Sequence, residues 1–300
     1  MRTTGRGTQS ARSRWRSAAT AVAAFVLLVL VWELVKLVVP ADGMSIGGTR
    51  VLPRTSDAAM PHVWTVLGRL LDPEVAGAAQ QRSIGAAVLS GALFTLRLSL
   101  GGLVLGGVLG VLLAVLMQRS GLLERALLPY VVASQTVPLI AIAPLVAGWG
   151  GKIAVFGQPW QPWASVMVIA AYLAFFPIAV GMLRGLTSPR PADVELFRAL
   201  ACGWWATLLR LRLPASVPFL IPAARLAAAA AVVGAIVAEI STGTRGGIGR
   251  LIIEYAQSAT GDPSRLYTAI LGAAVLGLVA GGAVSLLDIG LRRYRGSVTT

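Results

Sequence analysis

Long apolar runs separated by short charged segments dominate this sequence. The runs are of bilayer length and lie at about residues 18–39, 88–116, 126–147, 163–183, 216–240 and 267–287. Each is close to the ~20 residues that an α-helix needs to cross the hydrocarbon core of a membrane. The pattern therefore predicts an all-α, polytopic membrane protein with six transmembrane helices.

Composition agrees with this prediction and adds an orientation. Hydrophobic residues make up 56% of the chain and charged residues 13%, and the mean hydropathy is +0.76, which no soluble domain of this size tolerates on its surface. The net charge of +14 comes from arginines concentrated in the N-terminal tail, after the second and fourth runs, and at the C-terminus. Positive residues are retained in the cytoplasm. We therefore expect a plasma (inner) membrane protein with both termini cytoplasmic, attracted to anionic lipid and not to nucleic acid.

The runs divide the chain into five segments. These are a disordered basic tail at 1–17, a first transmembrane helix at 18–39, an extracytoplasmic segment at 40–84, a main transmembrane domain at 85–290 with a cytoplasmic loop at 184–214, and a cytoplasmic tail at 291–300. The first run is longer than a secretory signal core and lacks a clean cleavage site, so we expect it to remain as a span. An amphipathic stretch from His62 to Leu71 is expected to lie on the membrane surface.

Ionisable residues inside apolar runs are functional candidates by default. Glu33 and Lys36 are three residues apart and can neutralise each other on one helix face; a proton relay is the alternative to this packing contact. Arg225 and Glu239 are separated by about 21 Å along a helix and cannot pair. Glu239 is expected at the external mouth, as a gate or as an interface anchor.

The third run contains polar residues and prolines within a dozen positions. They include Gln135, Thr136, Pro138 and Pro144. Because each proline removes a backbone donor, such breaks are tolerated at membrane depth where the backbone is buried or lines a cavity. We interpret this run as a bent helix that lines a pathway; a kink that serves packing alone is the alternative.

Three glycines of the second run, Gly102, Gly106 and Gly110, recur every four residues. Residues with this spacing share one face of a helix, and small residues there let another helix approach closely. The spacing predicts a tightly packed helix bundle.

The charged segment between the fourth and fifth runs has the pattern of a short amphipathic helix. Pro191, Asp193 and Glu195 suit its first turns. Apolar positions then recur on one face, at Leu196, Ala199, Leu200 and Gly203. Leu213-Pro214 is expected to end the element before the fifth span. The segment is either a docking element on the cytoplasmic surface or an ordinary amphipathic connector.

This segment resembles the coupling loop of binding-protein-dependent ABC transporter permeases, whose motif reads E-A-A, three residues, G, then a distal I-x-L-P. Glu195 takes the glutamate, Leu196 and Phe197 replace the alanines, and Ala201 replaces the glycine, with Gly203 two positions later. The distal part is filled by Leu211, Leu213 and Pro214. The segments at 134–138, 175–178 and 232–239 are similar to the nitrate/sulfonate/taurine branch of that family, and the similarity covers about residues 88–290.

The resemblance implies the type I ABC importer permease fold. It also implies two permease chains, alike or different, two separate ATPase subunits docked on the coupling loops, and an extracytoplasmic substrate-binding protein. The solute would be small and polar: a sulfonate, nitrate or taurine-like anion, or a pyrimidine or riboflavin-type vitamin precursor.

The chain itself has no sequence signature of catalysis. Neither of its lysines, Lys36 and Lys152, lies in a phosphate-binding loop, so we expect no ATP site, no other cofactor and no catalytic residue here. One cysteine, Cys202, cannot form an intramolecular disulfide or a thiolate metal site, and no metal-ligand cluster is predicted. The single histidine, His62, is expected to be solvated.

An ion-coupled secondary transporter or channel is the alternative function. Glu33, Arg97, Arg225 and Glu239 would then form a charge path. No clear inverted repeat divides the chain, and the 193–214 loop would have no task in such a protein.

Overall fold

A computed structural model of the chain describes residues 6–46, 49–52, 54–74, 82–155 and 157–295. They form helices joined by short connections. In chain order the helices are α1 (Arg6–Val38), α2 (Val63–Arg69), α3 (Ile84–Arg119), α4 (Gly121–Ala133), α5 (Leu139–Gly150), α6 (Pro162–Leu186), α7 (Pro191–Ala199), α8 (Trp204–Thr207), α9 (Leu213–Thr242), α10 (Ile248–Gln257) and α11 (Pro263–Arg295). Two short antiparallel pairs join β1 (Met44–Ile46) to β2 (Thr49–Leu52) and β3 (Ala154–Val155) to β4 (Gln158–Pro159). The predicted all-α architecture is confirmed.

Four helices of the described residues are long and apolar enough to cross a membrane. They are α3, α6, the continuous helix Trp204–Thr242 and the part Pro263–Leu286 of α11, and the bent pair of α4 and α5 makes a fifth if it counts as one span. The predicted span 18–39 lies within α1 and is not among these helices. Its apolar side chains, such as Phe25 and Leu28, are exposed, as lipid-facing residues are. The sixth span therefore stays a prediction.

Helical structure extends into both predicted tails. Helix α1 begins at Arg6, so residues 6–17 are helical instead of disordered; alanine and arginine are strong helix formers and extend the helix of the apolar run. At the other end α11 continues to Arg295. The remainder of each tail, residues 1–5 and 296–300, lies outside the described residues.

The chain divides into two compact units. The first contains Met1–Gly85 and Tyr255–Thr268, and the second contains Ala86–Glu254 and Ala269–Thr300. The predicted cytoplasmic loop 184–214, which we call the coupling loop, and most of the predicted main domain belong to the second unit.

In the first unit, the charged residues of α1 bind the segment that follows it. His62 Nδ1 lies 2.7 Å from Glu33 Oε2, and the His62 ring stacks on Trp64. Lys36 donates to the Asp57 carboxylate and to the carbonyl of Met60, and the hydrogen bond from Lys36 lowers the pKa of Asp57. Glu33 and Lys36 do interact electrostatically, as predicted, and each also has a hydrogen-bond partner in the segment that leads into α2. The prediction of a merely solvated His62 was wrong, because its ring contacts Glu33 and Trp64.

A second set of polar contacts joins α2 to the segment 255–268 of the same unit. Arg69 donates to Asp262 at 2.9 Å and 2.5 Å and to Asp72 at 2.7 Å. Tyr255 donates to Glu74 at 3.0 Å. Burial, together with the Glu74 carboxylate, raises the pKa of Tyr255 to about 12, so its hydroxyl remains a donor at physiological pH.

Helix α6 is central to the core of the second unit. Alanines dominate its contact with α9, where Ala170 and Ala174 meet Ala227, Ala231 and Ala235 in one buried cluster. Small side chains allow the two helices to approach closely, which is how helices pack in lipid.

The glycine face predicted on α3 packs against α6. A Cβ at Gly102 would lie 2.9 Å from the amide nitrogen of Ala171, one at Gly106 would lie 3.0 Å from that of Phe175, and one at Gly110 would lie 2.7 Å from the Phe175 carbonyl oxygen. Real Cβ atoms almost never come within 3.0 Å of backbone atoms. The prediction of a close-packed bundle is confirmed.

The prediction that Leu213-Pro214 ends a helical element was wrong. A π-helical turn at Leu208–Arg212 connects α8 to α9, and the helix runs without a break from Trp204 to Thr242. Pro214 lies in the first turn of α9, directly after the π-helical turn. Such a turn is an irregularity at which a continuous helix can accommodate a residue that lacks a backbone N–H. The coupling loop and the fifth predicted span thus share one continuous helix.

The α3–α6 contact predicts different effects for two neighbouring glycines. Gly106→Ala should lower stability by about 1–3 kcal/mol, because its methyl group would meet the backbone of α6. Gly107→Ala is the matched control, since its methyl group would contact only Ile178 Cδ1 at 3.5 Å. Thermal unfolding of both variants in detergent measures the difference, and equal unfolding midpoints would contradict this packing.

Candidate coupling surface and transport pathway

Helix α7 begins as its sequence predicts. Arg190 is the N-cap in extended conformation, Pro191 is in the first turn, and Asp193 is the acidic residue of that turn. An acidic side chain is favourable there because the N-terminal end of a helix carries partial positive charge.

The end of α7 depends on Ala201. Its φ of 52° is the one positive φ among the described non-glycine residues. The N–H of Cys202 donates to the carbonyl of Phe197 at 2.9 Å, and the N–H of Ala201 donates to that of Arg198 at 2.9 Å. This hydrogen-bond pattern is the Schellman motif, which usually has glycine where Ala201 stands.

Several side chains on α7 and just beyond it are exposed. Glu195 is exposed, and the side chains of Leu196 and Leu200 are 57% and 66% exposed. Trp205, just beyond the turn, is 67% exposed. We name Glu195, Leu196, Leu200 and Trp205 the α7 surface. A leucine-tryptophan patch with a carboxylate on it has the composition of a protein-binding surface.

The remaining residues of the predicted motif fasten the loop or flank it. Gly203 is the exposed N-cap of α8, and a Cβ there would meet no atom within 4 Å. Leu213 packs on the buried cluster that contains Met182 and Leu186 of α6. Leu211 is half-buried and Pro214 is exposed.

Three contacts that the sequence did not predict attach the loop to the ends of α3 and α6. Leu208 is buried in the same cluster as Leu186, and Arg212 donates to the Leu186 carbonyl at 3.0 Å. The Arg119 guanidinium lies 4.7 Å from the centre of the Trp204 ring. The adjacent tryptophans Trp204 and Trp205, in a segment rich in arginine, were the sequence signal from which the Arg119–Trp204 contact could have been predicted.

The third predicted span is bent sharply. Helices α4 and α5 meet at 99°, with a 3₁₀ turn at Ser134–Thr136 and Pro138 as the N-cap of α5. Tyr172 of α6 donates to the Ser134 carbonyl, which satisfies one backbone group that the break frees.

The polar residues of the bend face outward from this chain. Gln135 and Thr136 are exposed, as is Pro138. Pro144 lies inside α5 without interrupting it. The predicted bend is therefore confirmed at Pro138, whereas the lining of a pathway by these residues stays a prediction.

Glu239 is fully buried, with 0% of its surface exposed. Its carboxylate accepts hydrogen bonds from the Thr95 hydroxyl at 2.8 Å and from the N–H of Gly249 at 2.9 Å. The expectation of an interface anchor was wrong, since the side chain contacts α3 and α10 instead of extending toward solvent. Its role as a gate stays a prediction.

Comparison with known proteins identifies the family. The family model for the binding-protein-dependent transport system inner membrane component matches residues 106–293, more than half of the chain. The chain belongs to this family. It is an ABC transporter permease, a multi-pass membrane component of a transport system that uses a binding protein.

Curated relatives of this permease are named for different solutes. The formylaminopyrimidine transport permease protein ThiX of Halalkalibacterium halodurans is 33% identical over 191 residues, 62% of this chain and 70% of that protein. The putative aliphatic sulfonates transport permease protein SsuC of Bacillus subtilis is 30% identical over 218 residues, 70% and 74% of the two chains. The riboflavin transport system permease protein RibX of Chloroflexus aurantiacus is 32% identical over 130 residues, 43% and 45% of the two chains.

Ala201 has a left-handed backbone conformation, which glycine adopts at lower cost than alanine. Ala201→Gly should stabilise the end of α7 by about 1 kcal/mol, because glycine has no Cβ to oppose a positive φ. Gly203→Ala is the control and should be near neutral, since its φ is −65° and its surroundings are open. Amide hydrogen exchange of residues 196–202 measures both effects. Faster exchange in Ala201→Gly would contradict the assigned conformation.

Proposed function

We propose that this permease is the transmembrane subunit of an ATP-binding-cassette importer in the plasma (inner) membrane, with both termini in the cytoplasm. Separate ATPase subunits bind ATP and dock on the loop 184–214. A second permease chain, identical or different, completes the pathway, and an extracytoplasmic binding protein delivers the solute. This chain contributes no cofactor and no catalytic residue.

The α7 surface is the observation that carries this proposal. It presents the exposed side chains of Leu196 and Leu200 beside Glu195 on a short helix. Leucines left exposed on a short charged helix outside the apolar runs need a protein partner. A family built around binding-protein-dependent transport supplies one in the ATPase subunit.

The mechanical link from the α7 surface into the membrane supports the same proposal. Leu208 and Leu213 pack against α6, and the helix that begins at Trp204 continues to Thr242. When the ATPase subunits close, the α7 surface moves with them, and this helix transmits the movement as a rigid body. The pathway then changes from inward-facing to outward-facing.

The proposed solute is small and polar. Names of the relatives support two chemical classes: a sulfonate anion, and a pyrimidine or riboflavin-type vitamin precursor. A nitrate or taurine-like anion rests on the resemblance of the sequence alone. We propose that the bend at Gln135, Thr136 and Pro138, with Pro144 beyond it and Glu239 as a candidate gate, belongs to the pathway. Exposed amide and hydroxyl groups at the bend can hydrogen-bond to either class of solute.

Co-purification tests the docking role of the loop. The double variant Glu195→Arg with Gly203→Arg should lose the ATPase subunit when the tagged chain is purified from its native membrane. Both changes place positive charge and bulk on exposed positions of the proposed docking surface.

Glu124→Arg with Gly121→Arg is the matched control. It makes the same chemical change on α4, where Gly121 also has open space around it, and should retain the ATPase subunit. Equal recovery of an ATPase subunit with both double variants would contradict the docking assignment.

A further inference from the structure

Four helices of the second unit meet at the first residue of α10. Ile248 is fully buried, and three glycines let the neighbouring helices reach it or the residue after it. A Cβ at Gly91 of α3 would lie 3.3 Å from Ile248 N, one at Gly272 of α11 would lie 3.0 Å from Ile248 Cδ1, and one at Gly249 would lie 2.6 Å from the Ile236 carbonyl oxygen of α9. We name the set Gly91, Thr95, Glu239, Ile248, Gly249 and Gly272 the α10 junction.

Every hydrogen-bonding group at the centre of the α10 junction is matched. Thr95 donates its hydroxyl hydrogen to Glu239 and accepts the N–H of Ile248 at 2.9 Å, while the N–H of Gly249 donates to Glu239. The first N–H groups of a helix have no partner within it and carry its positive dipole end. The Glu239 carboxylate therefore binds α10 at the position where an anion is most favourable.

The contacts of the α10 junction hold α10 against α9. A Cβ at Gly247 would collide with the Glu239 carboxylate, so the chain leading into α10 passes directly over it. Pulling α10 away would break the two hydrogen bonds that its N–H groups donate to Thr95 and to Glu239. Two backbone N–H groups would lose their partners and the buried Glu239 carboxylate would lose one of its donors, and each such loss is costly. A movement of α9 will therefore carry α10 with it more readily than it will separate the two helices.

The α10 junction and the coupling loop are at opposite ends of the same helix. From Pro214 to Glu239 the helical rise is about 38 Å, which exceeds the thickness of a hydrocarbon core. A displacement at the inner end of α9 thus arrives at Glu239 on the other side of the membrane.

We propose that Glu239 is a positioning residue that makes α10 move with α9, so that displacement of the coupling loop is delivered to the outer side of the permease through α10. This inference rests on the proposed function. It differs from a gating role, because Glu239 acts through α10 and need not contact the solute.

Spin-label distances in the assembled transporter test this inference. Cys202→Ser removes the native cysteine, and Val233→Cys on α9 with Glu254→Cys on α10 places one label on the exposed surface of each helix. The complex with its ATPase subunits, in lipid nanodiscs, is measured without nucleotide and after trapping with ATP and vanadate. The label distance should be the same in both states.

Three further variants test whether the hydrogen bonds of the Glu239 carboxylate hold the label distance constant. In Glu239→Ala the same distance should shift between the two states or broaden in the trapped state. Thr95→Val, which removes the bridging hydroxyl at similar volume, should do the same, whereas Thr95→Ser should retain the invariant distance. If Glu239→Ala does not assemble with the ATPase subunits, the comparison of Thr95→Val with Thr95→Ser tests the inference instead.

Each outcome has a separate meaning. A label distance that changes on trapping while Glu239 and Thr95 are intact would overturn the inference, as would an invariant distance in Thr95→Val or in an assembled Glu239→Ala. A purified chain with no ATPase subunit would instead overturn the proposed function, and the inference with it. Invariance in the parent and in Thr95→Ser, lost in Thr95→Val, would support it.

Discussion

Backbone contact between α3, α6 and α9 is the constraint on which the rest of the second unit depends. Lipid is as apolar as leucine, so apolar helices gain little from leaving it and associate through close packing instead. Gly102, Gly106 and Gly110 bring α3 against α6. On the other side of α6, Gly181 and Gly185 admit Ala223 and Ser216 of α9. Because both helices pack against α6, α3 and α9 have fixed positions at which polar contacts can form.

Because these positions are fixed, the continuous helix from Trp204 to Thr242 can take part in two sites, one at each of its ends. At the end that begins at Trp204, Leu208 packs against α6 and Arg212 donates a hydrogen bond to it. This end is next to α7, whose Leu196 and Leu200 are exposed. The outer end of the continuous helix carries Glu239, which is satisfied by Thr95 of α3 and by backbone N–H groups of α10. Hydroxyl and helix-end donors take the place of water around this buried side chain and offset part of the cost of its burial. In the proposed function this arrangement transmits movement and needs no reactive group, while a separate subunit hydrolyses ATP.

The features that could be predicted from the sequence are those with local signals. The i, i+4 glycines of α3, the break at Pro138 and the start of α7 at Pro191 each follow from residues close together in the chain. Partner choice over long separations could not be predicted: Thr95 and Glu239 are 144 residues apart, and Glu33 and His62 are 29 apart. Ala201 was placed by resemblance to the motif, but its left-handed backbone has no signal in an alanine. Pro214 gave a misleading signal for a helix end, because in the sequence a proline in the first turn of a helix cannot be distinguished from a proline that ends one.

Site-specific cross-linking from the α7 surface is the measurement that tests the central claim most directly. A photoreactive amino acid at Leu200, introduced into the tagged chain in its native membrane, reports which protein covers this exposed side chain. The account predicts capture of one soluble protein with a phosphate-binding loop, and no capture of that protein from the equally exposed Leu122. Capture of only membrane proteins, or of nothing, from Leu200 in a correctly inserted chain would contradict it.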